Sequence, residues 1–186
     1  MADDSTPERR RFLRHGLQLA GAMALMPAGV RAALPAQGER ALALVHTHTQ
    51  ERIEIVYAQG ERYLAQGLAA LNTFLRDHYT GEVGVIDPRL LDLLHGLQRT
   101  LGSERPYEVI SGYRCPATNE RLRTARSGSG VASQSLHTRG CAIDVRLPGT
   151  ALADLRDAAL ELAAGGVGYY PGSRFVHVDT GRVRRW

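Results

Sequence analysis

The chain has 186 residues, 44% of them hydrophobic, with a formal net charge of +4 and arginine as its only fixed cation, enough for one domain of ordinary size and a short additional segment. Residues 1–32 carry five arginines against Asp3, Asp4 and Glu8, so half of the net charge lies there and the remainder is mildly basic. Arginine is scattered rather than clustered with aromatic platforms, which argues against a nucleic-acid partner, and no repeat or low-complexity linker divides the chain.

The first segment is informative about destination. Arg9-Arg10-Arg11-Phe12-Leu13-Arg14 precedes an uncharged stretch over 16–30, then Val30-Arg31-Ala32. A charged head, a short apolar middle and a small-residue end form the pattern of a twin-arginine signal peptide over residues 1–32. The apolar run is shorter than the roughly 20 residues that span a bilayer. The expected partner is the twin-arginine export machinery, the expected location is the periplasm, and no stable membrane span is expected after cleavage. Two outcomes stay open at the boundary: cleavage after Ala32 or retention as an anchor. The functional domain is then 33–186.

Along that domain, residues 42–48 and 52–57 alternate apolar with polar and read as a hairpin. Over 61–79, Tyr63, Leu64, Leu68, Leu71, Phe74 and Leu75 recur at helical spacing. Pro88 opens a second helix through Leu101, with Asp87 as N-cap and Gly102 as the stop. A strand over 107–111 ends at Gly112-Tyr113-Arg114, a short helix follows over 116–126, and 127–130 reads as a flexible loop flanking a cleft. A strand over 141–147, a helix over 152–163 broken at Gly165-Gly166, and a hairpin of 167–170 with 174–179 complete the chain. The closing Arg182-Val183-Arg184-Arg185-Trp186 reads as a solvated tail. The expected class is α+β, a small antiparallel sheet carrying the site and backed by helices.

Three residues in strand-like text carry the chemistry: His137 and Asp144 in Ser135-Leu136-His137-Thr138-Arg139-Gly140-Cys141-Ala142-Ile143-Asp144, and His177 in Phe175-Val176-His177-Val178-Asp179. Two neutral imidazoles and one carboxylate suit a divalent borderline metal, and three ligands leave the fourth tetrahedral corner open, as in hydrolytic zinc. His137 and Asp144 lie seven apart across Gly140, wrong for one helical face but suited to a loop entering a strand. Asp144 within Ala142-Ile143-Asp144-Val145 would be a costly lone carboxylate unless bonded or metal-bound. Asp179, two residues after His177, shares its strand face. It is either the general base or an acceptor that orients the imidazole.

Other residues admit plainer readings. His46-Thr47-His48 reads as a surface pair, and His78 and His95 as helix residues. Arg139, Arg146 and Arg174 are candidate carboxylate anchors, with ordinary exposed arginine the competing reading. Cys115 and Cys141 either bridge in an oxidising compartment or remain separate thiols.

Ser111-Gly112-Tyr113-Arg114, Asn119, Ser135-x-His137-x-x-Gly140-x-Ala142-x-Asp144 and Gly165-Gly166-Val167-Gly168-Tyr169-Tyr170-Pro171 leading to His177-Val178-Asp179 resemble the murein endopeptidase K branch of the D-alanyl-D-alanine peptidase clan, which also includes hedgehog-like domains. The resemblance covers essentially the whole chain. It implies a periplasmic zinc peptidase acting on peptide cross-links of peptidoglycan, with Zn2+ held by His137, Asp144 and His177. It further implies that Arg114 contacts substrate or stabilises the oxyanion, and Ser135, which opens the string, is a candidate substrate contact. Many clan members place a catalytic Glu three residues before the last ligand; here that position is Arg174, so Asp179 is the candidate base. A zinc-bearing domain that binds cell-wall peptide without cutting it is the alternative.

Overall fold

The computed structural model describes residues 38–125 and 131–186. The expected signal segment and the expected loop at 127–130 lie outside the described residues. Among the described residues, four helices and eight strands confirm the α+β class. The sheet is larger than the small antiparallel one expected and is mixed: its order is β3-β2-β1-β4-β5-β7-β6-β8.

Strands β1 (Glu39–His46) and β2 (Arg52–Gln59) form the expected antiparallel hairpin, and β3 (Arg62–Tyr63) adds to its outer edge. Helix α1 (Ala65–Phe74) is shorter at both ends than its apolar spacing suggests. Its N-terminal flank is taken by β3. Beyond Leu75 the Asp77 carboxylate captures the amides of Tyr79 and Cys115 at 2.9 Å each, holding a turn where the helix would otherwise continue. His78 therefore sits in a turn, not on a helix. Helix α2 (Pro88–Thr100) begins as expected, with the Asp87 side chain accepting from the Arg89 amide at 3.0 Å. It buries Leu90, Leu91, Leu94 and Leu97 completely, each contributing about 1.5–3 kcal/mol by transfer from water.

Strand β4 (Tyr107–Ser111) joins β1 in parallel, because the chain between them crosses over through α1 and α2. Helix α3 (Pro116–Thr124) is capped by the Cys115 thiol, which accepts from Thr118 N. A 3₁₀ turn, Leu136–Arg139, leads into β5 (Ala142–Arg146); helix α4 (Leu152–Leu162) follows, then β6 (Gly166–Tyr170) and β7 (Phe175–Asp179). The final strand, β8 (Arg184–Arg185), pairs in parallel with β6 where a solvated tail was expected.

Period-two alternation sorts the sheet's faces. On β5 and β7, Ile143, Val145, Val176 and Val178 enter the core, which α2 and α4 share. Asp144, His177 and Asp179 consequently lie on the opposite face. Asp144 and His177 are direct cross-strand partners in the β5–β7 register, so 33 residues of separation collapse to neighbouring side chains. A register shift between Val109 and Ser111 brings Ser111 opposite Asp144, turning the end of β4 toward the same face.

Candidate metal centre

His137 is presented by the 3₁₀ turn. Ser135 caps that turn, its hydroxyl accepting from the His137 amide at 3.4 Å, and Gly140 ends it in the left-handed region at φ 65°. A Cβ on Gly140 would lie 1.9 Å from the Val85 carbonyl oxygen, so this position excludes every side chain for both conformation and space. The His137 ring is completely buried, and its Nδ1 donates to the Gly112 carbonyl at 2.7 Å. A carbonyl can only accept, which puts the proton on Nδ1 and leaves the Nε2 lone pair free.

His177 is oriented the other way round. Its Nε2 faces the Asp179 carboxylate at 3.1 Å, and its Nδ1 lies 2.8 Å from Asp144 Oδ1 and 3.2 Å from His137 Nε2. His137 Nε2 is 3.3 Å from the same Asp144 oxygen. Three side-chain atoms able to ligate a cation thus face one another at 2.8–3.3 Å. Burial alone would raise the Asp144 carboxyl, but the facing His137 and His177 imidazoles outweigh it and hold it well below the usual carboxylate range. Burial pushes the His137 imidazole down; at His177 burial acts downward too, but hydrogen bonds to Asp144 and Asp179 overcome it and raise the group.

Such a convergence of lone pairs fits a cation. Ligands about 2.0–2.1 Å from a tetrahedral ion are about 3.3 Å apart, close to the separations seen here. Among the described residues, His137, Asp144 and His177 form the one group of ligating side chains close enough to hold a metal ion.

The cluster opens into a cleft of about 720 Å³. Arg114 lines it, largely buried, with Nη2 3.6 Å from Asp144 Oδ2 and Nε without a hydrogen-bond partner among the described residues. Ser135 also lines the cleft, although its hydroxyl is engaged in capping. His48, His78 and Tyr79 border one part of the cleft, and Tyr170, Phe175 and Trp186 another.

The profile of the family described as Peptidoglycan L,D-endopeptidase MepK matches residues 34–186. The chain is 45% identical to the peptidoglycan L,D-endopeptidase MepK of Escherichia coli (strain K12) and to that of Shigella flexneri, over 99% of this chain and 100% of each relative. The chain belongs to the MepK family. A more distant relative, the probable peptidoglycan L,D-endopeptidase MepK of Haemophilus influenzae, is 36% identical over 96% of this chain and 95% of its own length. No solved structure matches the chain.

The structure of this MepK family member places the remaining expected residues as follows. Asp179 does not face the open side of the cluster. It is wholly buried at the far edge of the His177 ring, its oxygens taken by His177, by the Gly166 and Gly181 amides at 3.0 and 2.9 Å, and by both terminal nitrogens of Arg184. Burial would raise its carboxyl, but these donors hold it well below the ordinary range. Its surroundings are those of a carboxylate that accepts from the His177 ring, with both of its oxygens engaged and no exposed face. Cys115 and Cys141 are free thiols. Of the candidate anchors, Arg146 pairs with Glu108, Arg174 occupies an exposed turn at φ 56°, and Arg139 is exposed; none lines the cleft. His46 is completely buried, not a surface residue, and His48 stacks on His78 with ring centroids 4.2 Å apart. Arg184 and Trp186 were legible only as tail. The overlooked signal was the glycine-rich Gly165-Gly166-Val167-Gly168, a strand kept bare where something packs closely.

Proposed function

We propose that this protein is a zinc-dependent murein endopeptidase that hydrolyses peptide cross-links in peptidoglycan at the His137–Asp144–His177 centre. The observation that carries this reading is the convergence of two imidazole lone pairs and one carboxylate oxygen, 2.8–3.3 Å apart, at the floor of an open cleft. The family's relatives bear the name of an L,D-endopeptidase, and the bond cut here is of that class. With the twin-arginine pattern at residues 1–32, the domain works in the periplasm.

When bound, zinc supplies Lewis acidity to the scissile carbonyl and to the attacking water. The chain's own residues do the rest. His137 is held in its ligating tautomer by the Gly112 carbonyl, and His177 by Asp179. Arg114 presents a guanidinium with one unpaired nitrogen beside Asp144, where the carbonyl oxygen of the substrate gathers negative charge. Ser135 serves mainly by fixing the turn that carries His137.

Purified protein is incubated with sacculi and with cross-linked muropeptide dimers, with and without a chelator, beside His177→Ala. The expected outcome is cleavage by the wild type, abolished by chelation and restored by zinc, with one zinc per chain that the variant lacks by elemental analysis. A wild type that holds zinc and binds sacculi but never cleaves them replaces this reading with a non-catalytic binding domain.

A further inference from the structure

We infer that β8 is part of the metal centre's framework and that Arg184 is a positioning residue, setting His177 toward the metal through Asp179. The inference rests on the zinc-peptidase reading.

The path is continuous in hydrogen bonds. Arg184 Nη1 donates to Asp179 Oδ1 at 3.0 Å and Nη2 to Oδ2 at 2.7 Å, a two-pronged grip that fixes the rotation of the carboxylate. The fixed Oδ2 meets His177 Nε2 at 3.1 Å, and the opposite ring nitrogen, Nδ1, is the one that joins Asp144 and His137. Rotation of the carboxylate would therefore turn the imidazole away from its ligating direction. Trp186 closes the other side: its ring centroid lies 5.2 Å from that of His177, and Arg184 Cζ stands 4.8 Å from the Trp186 ring.

The tail is anchored as structure, not draped over it. Trp186 N donates to Val167 O at 3.2 Å, Tyr169 N to Trp186 O at 3.1 Å, and the indole nitrogen to Tyr170 Oη at 2.7 Å. The neighbouring strand is bare where these groups lie. A Cβ on Gly166 would come within 2.3 Å of Arg184 Nη1 and 2.5 Å of Asp179 Oδ2, and one on Gly168 within 2.7–2.9 Å of the indole. Both glycines leave room for the buttress, an independent sign that β6, β8 and Asp179 are fitted to one another.

The test measures zinc affinity by competition with a chromophoric chelator, for the wild type, Arg184→Ala, Arg184→Lys and Arg185→Ala. Loss of an outer group that orients a metal ligand weakens metal binding about 10–100-fold, the expected result for Arg184→Ala. Arg184→Lys recovers only part, because an ammonium cannot grip both carboxylate oxygens in the guanidinium's planar fork. Arg185→Ala, on the same strand but outside this path, keeps wild-type affinity. If Arg184→Ala does not fold, Arg184→Gln carries the test with a several-fold loss expected. Wild-type affinity in the folded Arg184 variants overturns the inference alone. A wild type that takes up no zinc overturns the metal reading first and this inference with it.

Discussion

Arg114 occupies an expensive position for a guanidinium: 8% exposed, with Nε unpaired and its nearest carboxylate at the edge of ion-pair distance. A buried donor left without a partner costs about 1–3 kcal/mol, and a substrate oxygen entering the cleft would supply that partner. Arg114→Ala is therefore expected to keep its zinc and lower kcat by about 10²–10³-fold, the scale of one lost oxyanion donor. Steady-state kinetics on muropeptide dimers with parallel metal analysis checks this, and an effect confined to KM would make Arg114 a ground-state anchor instead. At this scale the convergence of His137, Asp144 and His177 was readable from sequence, because a polar residue in the apolar text of Ala142-Ile143-Asp144-Val145 demands an explanation by itself. Which of the two readings of Asp179 its surroundings favour was not: strand parity places Asp179 on the face of His177, but only the fold shows that it lies at the ring's far edge and that Arg184 claims both oxygens.

The turn Ser135–Gly140 links local chain geometry to the site. Its hydroxyl cap, its 3₁₀ hydrogen bonds and the positive φ of Gly140 set where His137 emerges, while Gly140 O accepts from Asp87 N at 2.9 Å to tie the turn to the start of α2. Gly140→Ala brings a methyl group against the Val85 carbonyl in a conformation that itself costs about 1–3 kcal/mol for a side-chain-bearing residue. A total loss of about 3 kcal/mol is expected, lowering the thermal midpoint by roughly 10 °C for a chain of this size, with weakened zinc binding because the turn must move. Thermal denaturation and chelator competition measure the two effects, and an unchanged midpoint would show that the turn yields freely. Elements with their own punctuation, such as α2 between its Asp87 cap and Gly102, were legible from sequence. Strand β8 was not, since two residues carry no period, and the parallel β1–β4 pairing depends on a crossover that no local signal encodes.

Across the molecule, acid exposes a second cluster remote in sequence from the metal ligands. His46 at the end of β1 is fully buried, its Nδ1 accepting from the amides of His48 and Thr49 at 3.2 and 3.4 Å, while Nε2 has no partner among the described residues. Around it stand the imidazoles of His48 and His78, the Phe74 ring, and the charges of Glu51 and Arg76. Burial first, then the neighbouring His78 and His48, lowers its pKa from 6.5 to about 4, with Glu51 opposing. Between those values the unfolded chain binds the proton that the folded chain refuses, so stability rises with pH there. The contribution is complete above pH 6.5 and is lost as pH falls through the window to about 4, amounting to about 3 kcal/mol at 1.36 kcal/mol per pH unit. His46→Asn retains an oxygen acceptor for the two amides but no titrating ring. Denaturant midpoints measured from pH 7.5 to 4 are therefore expected to fall less steeply for the variant than for the wild type. Because the metal centre is common to both, its own acid sensitivity cancels in that difference. Parallel curves would place the acid sensitivity at groups other than His46 and leave its ring as packing alone.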